Sequence, residues 1–367
     1  MPGDFSRRHF VNLAAGAAAL GGPLGRVLGP IAFAQELAAP KGLPEPVVPV
    51  ETRSVVSLVK GADRRKNITE ALARIDDQIR PLLGRKKYVV IKPNNVATNR
   101  QLAATHVHAL SGILDYLEPR FKGPVVIAES SAGDTLHAYE QFKYTRLPSE
   151  RRSQRVELVD LNREGKYVPL PVLSGDLRID RVRLAARLLD PDAFVICAAL
   201  PKTHNVCVAS LSVKNMTLGA PLHNAPRERS WSDKRKYHTG VRGTNFNIML
   251  TAQRLAPFWG ATVVDGFEGM EGNGPAGGTP VPSRIAIAST DYIAADRVAA
   301  ECMGINPLWI AHLQWCWQVG LGQYDIGRID LRGERIADVR KPYRLHNDIE
   351  LELRWMGPLE EIERPLG

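Results

Sequence analysis

Residues 88–95 read Tyr-Val-Val-Ile-Lys-Pro-Asn-Asn. Four aliphatic or aromatic residues make a short buried strand, and the chain then releases a lysine and two asparagines at a proline. Thr105 follows as a helix opener, with Leu110, Ile113, Leu114 and Leu117 at helical spacing. A second strand, Val125 to Ala128, ends in Glu129-Ser130-Ser131. Strand, helix and strand in this order predict a mostly parallel sheet with helices on both faces, an open Rossmann-like α/β fold.

Working outward, Val55–Val59 reads as an earlier strand, and Asn67 as the cap of one helix running to about Leu83. On the other side come short strands near 156–160 and 168–172, and a helix over 181–189. A strand from Ala193 to Leu200 ends in Pro201-Lys202-Thr203-His204. A short helix covers 210–218, and a basic loop 221–244. Another helix, 245–255, leads into Val263-Val264-Asp265, followed by the loop Gly266–Gly278 with Glu268, Glu271 and Asn273. A strand at 284–289 ends at Thr290-Asp291, helices follow at 292–303 and 307–319, and strands near 326–332 and 345–353 close the chain. The α/β region spans 54–340, with lobes of about 54–175 and 176–340, and a C-terminal extension covers 341–367.

Five strands thus end in polar clusters. In a parallel sheet all five emerge at the carboxyl edge, where open α/β folds bind ligands. The expected ligand-binding residues are Lys92, Asn94, Asn95, Glu129, Ser130, Lys202, Asn215, Gly272, Asn273, Gly274 and Asp291. Lys214 lies on the stripe of its helix that faces inward, with Leu211 and Leu218, and an unpaired buried lysine belongs to a site rather than a core. Asp296 shares a stripe with Ile293, Ala300 and Met303 and is expected to form a structural bridge. His204 at a strand end is a candidate base. The expected catalytic set is Lys214, His204, Asp265 and Glu268. Oxygen ligands at Asp265 and Glu271, with His204, make a divalent metal a candidate cofactor. His106 ranks second, because His106 and His108 diverge on a helix.

Several classes are excluded. Gly272–Gly277 has the GxGxxG spacing, but a proline lies inside it and Gly278-Thr279-Pro280 stands where a helix should begin. Walker and GxSxG motifs are absent. Cys197, Cys207, Cys302 and Cys316 show no CxxC spacing, so an iron–sulfur cluster is not expected, and buried thiols with at most one disulfide are.

The N-terminus carries Ser6-Arg7-Arg8-His9-Phe10-Val11, a weakly hydrophobic stretch, and Ala32-Phe33-Ala34. This is the pattern of a twin-arginine export signal over residues 1–34, with a Pro-rich lead-in at 35–53. The export machinery is therefore an expected partner, and the location is periplasmic or otherwise extracytoplasmic. The later chain holds no apolar run long enough to span a bilayer. Cleavage removes three arginines and one aspartate, which lowers the net charge from +9 to +7. That charge favours a small anionic ligand, and without aromatic interleaving nucleic acid is not expected.

Several segments together resemble the DUF362 family (domain of unknown function 362). They are Ile91-Lys92-Pro93-Asn94, Leu200–His204, Ser212–Met216, Asp265-Gly266 with Gly269–Pro275, and Asp291–Asp296 with Met303-Gly304. The resemblance implies an α/β fold and leaves the activity open. Some members are iron–sulfur proteins with a ferredoxin-like cysteine cluster, which this chain lacks. Two functions remain. One is an exported hydrolase- or lyase-type enzyme for a small anion, with or without a metal. The other is a non-catalytic ligand- or metal-binding or redox-accessory protein, with an iron–sulfur carrier third.

Overall fold

Short β-branched runs alternate with helices bearing one apolar stripe, and each needs the other to cover its apolar surface. The computed structural model describes residues 50–225 and 228–357. The export signal, most of the lead-in and the last ten residues lie outside the described residues. Residues 50–355 form one compact unit.

The chain begins with β1 (Ser54–Lys60), α1 (Arg64–Ala73), α2 (Asp76–Leu83), β2 (Tyr88–Lys92), α3 (Val107–Leu117) and β3 (Val125–Glu129). Next come α4 (Thr135–Gln141), β4 (Val156–Asp160), the hairpin β5 (Tyr167–Leu173) and β6 (Ile179–Ala185), and β7 (Ala193–Ala199). The short strands β8 (Lys202–His204) and β9 (Val208–Ser210) precede α5 (Ser212–Gly219) and α6 (Gly240–Leu255). Then follow β10 (Trp259–Gly266), β11 (Gly269–Glu271), β12 (Thr279–Val281) and β13 (Ile285–Ser289). The chain continues with α7 (Tyr292–Cys302), α8 (Ala311–Gln318) and β14 (Ile329–Gly333).

Eight strands form the main sheet in the order β14-β1-β13-β10-β7-β2-β3-β4. β2 sits between β7 and β3, so the two expected lobes share one sheet. Seven strands run the same way. β13 alone is antiparallel to both its neighbours, β1 and β10. A parallel return needs a crossover, usually a helix. Residues 267–284 instead form β11 and β12, and the chain comes back antiparallel. One sheet face, with Val89, Ile91, Val125, Ile127, Ile196 and Val263, packs on α1, α2 and α3 in a single apolar core. The other packs against α5 and α7. The α/β architecture with helices on both faces is as expected.

Four expectations change. The helix over 67–83 is two helices, capped by Asp63. Asn67 instead donates to the carbonyls of Gly61 and Arg284. The helix expected to open at Thr105 starts at Val107, with His106 as its cap. Residues 179–185 are a strand, since Val182 and Leu184 are buried while Arg181 is exposed, a period of two rather than 3.6. Residues 349–355 are helical turns rather than a strand.

Leu200 and Pro201 carry β7 straight into β8, and Phe267 and Glu268 carry β10 into β11. The small sheet β12-β11-β8-β9 therefore stands on the carboxyl edge of the main sheet.

Candidate functional site

At that edge a polar cluster is buried where the hydrophobic pattern of the strands ends. Lys92, the last residue of β2, donates to Glu129 Oε2 at 3.0 Å, Asn215 Oδ1 at 3.0 Å and the Pro93 carbonyl at 3.1 Å. Glu129 ends β3 and also accepts the backbone N–H groups of Ser130 at 2.8 Å and Asn95 at 3.3 Å. Asn94 donates to Asn215 Oδ1 at 3.0 Å and accepts from Lys202 Nζ at 2.6 Å. Lys202 also reaches the Ala103 carbonyl at 3.2 Å. Asn215, on α5, joins the two strand ends, and its amide nitrogen donates to Cys197 Sγ at 3.2 Å. Gly219 closes the floor of this arrangement: a Cβ there would lie 2.1 Å from Lys92 Nζ.

A fourth lysine, absent from the expected set, enters from the basic loop. Lys234 donates to Ser130 Oγ at 2.9 Å and the Leu218 carbonyl at 3.1 Å. Ser130 Oγ in turn donates to the Gly219 carbonyl at 2.6 Å. Burial pushes both Lys202 and Lys234 down to about 7, and the Lys214 charge adds to the shift at Lys202. Glu129 is the carboxylate paired with this set, so the cluster carries excess positive charge.

Lys214 differs from the other three. It lies on the first turn of α5 with 6% of its surface exposed, and its side-chain nitrogen makes no hydrogen bond or ion pair with any described residue. Burial lowers its affinity for a proton. An ammonium buried without a partner is costly. α5 itself is anchored by Asp296 of α7, whose carboxylate accepts the N–H of Ser212 at 2.9 Å and of Val213 at 2.8 Å, and the Ser212 hydroxyl at 2.6 Å. That is the structural bridge expected of Asp296. Burial raises its carboxyl to about 7.

Three histidines feel the Lys214 charge. His204 is buried and held neutral well below its ordinary range, first by burial and then by Lys214 and Lys202. His312, which sequence reasoning passed over, is held down to about 3 by burial and Lys214. His238, at the end of the basic loop, is lowered by the same two causes. Their partners set the tautomers. His204 Nδ1 accepts the Val206 N–H at 3.0 Å, which leaves the proton on Nε2. Asn245 turns its amide nitrogen to the Val241 carbonyl at 2.8 Å, so its oxygen faces His312 Nδ1, also at 2.8 Å. His312 Nδ1 is thus the donor, and Nε2 keeps a lone pair. One neutral ring offers a proton and the other accepts one.

The remaining expected residues are placed elsewhere. Asp291 follows the antiparallel β13 and so emerges at the opposite edge. There it caps α7 and accepts from Ser54 Oγ at 2.6 Å. Glu268 is exposed on the β10–β11 connection. Glu271 accepts the Arg344 N–H at 2.9 Å, and Asn273 accepts the Asn347 N–H at 3.3 Å. The Gly272 carbonyl accepts from Thr203 Oγ at 2.6 Å, and a Cβ on Gly274 would lie 2.0 Å from the Thr203 carbonyl oxygen. This glycine loop packs β8 against the C-terminal segment. Asp265 is buried beside Arg64 at 3.3 Å, with Oδ2 unbonded among the described residues. Burial pushes its carboxyl up to about 6, against the pull of Arg64.

The expected metal set of Asp265, Glu271 and His204 is not brought together. Their strands carry them to separate partners, and among the described residues no three His, Cys, Asp or Glu side chains gather as metal ligands. His106 uses Nδ1 to accept the His108 N–H at 3.1 Å, which spends it on the start of α3. The four cysteines are buried single thiols.

No curated protein matches the chain. The crystal structure of a protein from Thermotoga maritima is similar at 10% identity and a TM-score of 0.41, over 71% of this chain and 60% of that one. The chain therefore spans about three fifths of that protein's length. Residues 89–301 match the family described as Domain of unknown function (DUF362). These residues are more than half of the chain and include every member of the lysine cluster, and the chain belongs to the DUF362 family.

Proposed function

We propose that the protein is an exported enzyme of hydrolase or lyase type that binds a small organic anion at the lysine cluster. The observation that carries the reading is Lys214, a buried lysine whose side chain has no partner among the described residues. Its charge is felt by the buried Lys202, and it lies on the same helix as Asn215, which holds Lys92. A carboxylate or phosphate placed there gains charge-assisted hydrogen bonds and removes the cost of the uncompensated charge. The complementary tautomers of His204 and His312 support proton transfer next to that anion.

A panel of small carboxylates and phosphates, screened by thermal shift on the mature protein, tests this. At least one anion is expected to raise the melting temperature saturably. Lys214→Met is expected to weaken that anion's binding at least tenfold, the scale of one lost charged hydrogen bond. A folded Lys214→Met protein that binds as tightly as wild type would remove the site from the cluster.

A further inference from the structure

Four lysines crowd one sheet edge, three of them buried and Lys234 half-buried, and only Lys92 spends all three of its ammonium protons. Lys92 holds Glu129, Asn215 and a carbonyl. Lys202 holds Asn94 and a carbonyl. Lys234 holds Ser130 and a carbonyl. Lys202 and Lys234 each spend two of three protons on fixed acceptors and keep one for an anion, which suits them to binding and electrostatics. Lys214 has no such acceptor among the described residues. Its side chain is mostly buried, it lies close enough to Lys202 to lower that lysine's proton affinity, and its nitrogen is free to react. A desolvated lysine beside another cation is the arrangement that yields a nucleophilic amine.

We infer that Lys214 forms an imine with the carbonyl carbon of a 2-oxo acid whose carboxylate is held by the neighbouring lysines. This rests on the anion-site reading above and deepens it, because a 2-oxo acid places a carbonyl one bond from a carboxylate. The uncharged amine attacks the carbonyl carbon, a C–N bond forms, and the C=O pair moves to oxygen, which takes a proton. The hydroxyl then leaves as water with a second proton, and the nitrogen loses the two protons gained by that oxygen. Nothing is oxidised or reduced. His312 has the free lone pair and His204 the N–H that this relay of protons requires, and both are neutral.

The test is reductive trapping on the mature, full-length exported protein. It is incubated with glyoxylate, pyruvate or 2-oxoglutarate and then treated with sodium borohydride, which delivers hydride to an imine carbon. Expected is a single adduct, equal in mass to the acid less one oxygen, on the peptide carrying Lys214. Lys214→Arg keeps the cation and is expected to bind the acid yet lose the adduct completely. A thermal shift with the same acid, without any adduct, would overturn the imine and leave the anion site standing. An adduct of equal yield in the Lys214→Arg protein would also overturn it, since another lysine would then be reacting. Failure of every carboxylate and phosphate to shift the melting curve would overturn both readings.

Discussion

Asp265 and Lys214 are buried charges of opposite sign, one beside a cation and one alone, and each has a measurable consequence. Asp265 has its carboxyl raised to about 6, against about 3.8 for the free side chain. The native state therefore holds a proton over that window while the unfolded state has lost it, so stability falls as pH rises from about 4 to about 6 and is level above that. Asp265→Asn removes the titration. The stability of wild type relative to this variant is expected to drop by about 3 kcal/mol between pH 4 and pH 7, as measured by urea unfolding at each pH. A difference that is flat with pH would mean that Asp265 ionises normally. At this scale the sequence was informative where a polar residue ends an apolar strand, as with Lys92, Glu129 and Lys202. It marked Lys234 only as one of several cations in a basic loop that could cover an anion or lie in solvent, and it was silent on His312, which is buried in an apolar helix. Only tertiary packing brings those two to the site.

The element on which the site depends is α5. Eight residues hold both Asn215, which links two strand ends, and Lys214, and their first turn is fixed by Asp296. Asp296→Ala would orphan three buried donors, each costing about 1–3 kcal/mol. A loss of at least 3 kcal/mol in unfolding free energy is expected, with Asp296→Asn falling between, because its amide keeps one acceptor oxygen. The Asn variant is also expected to weaken anion binding although it touches neither Lys214 nor the lysine cluster. The direction of β13 marks the limit of strand-by-strand reading. Apolar runs reveal that a strand exists, but not which way it enters the sheet. Residues 267–284 hold no helix to make a crossover, and this turns β13 around and takes Asp291 to the far edge. The strand β6 shows the same limit from another side. Its alternation of arginines with Val182 and Leu184 is a strand pattern, yet four aliphatic residues over 182–189 also satisfy helical spacing.

For the whole molecule, the sheet gathers residues from 92 to 234 into one buried, positively charged edge, and the proposed export signal at Arg7-Arg8 would carry that edge out of the cytoplasm. The double variant Arg7→Lys, Arg8→Lys is expected to stay in the cytoplasm of a host with a twin-arginine system, while the unaltered chain reaches the periplasm. Cell fractionation and immunoblotting decide it, and unchanged export would remove the signal assignment. Composition alone indicated an anionic partner through the net positive charge, but the surface carries most of that charge. Burial of Lys92, Lys202 and Lys214 at one sheet edge, with the half-buried Lys234 beside them and Glu129 the paired carboxylate, is what concentrates it.

The most direct measurement of that concentration is a crystal structure of the mature protein soaked in selenate, with anomalous scattering used to locate the anion. A selenium peak beside Lys214 Nζ, with a selenate oxygen at hydrogen-bond distance from it, is expected. Ordered anions elsewhere, with Lys214 still unpartnered, would contradict the anion site.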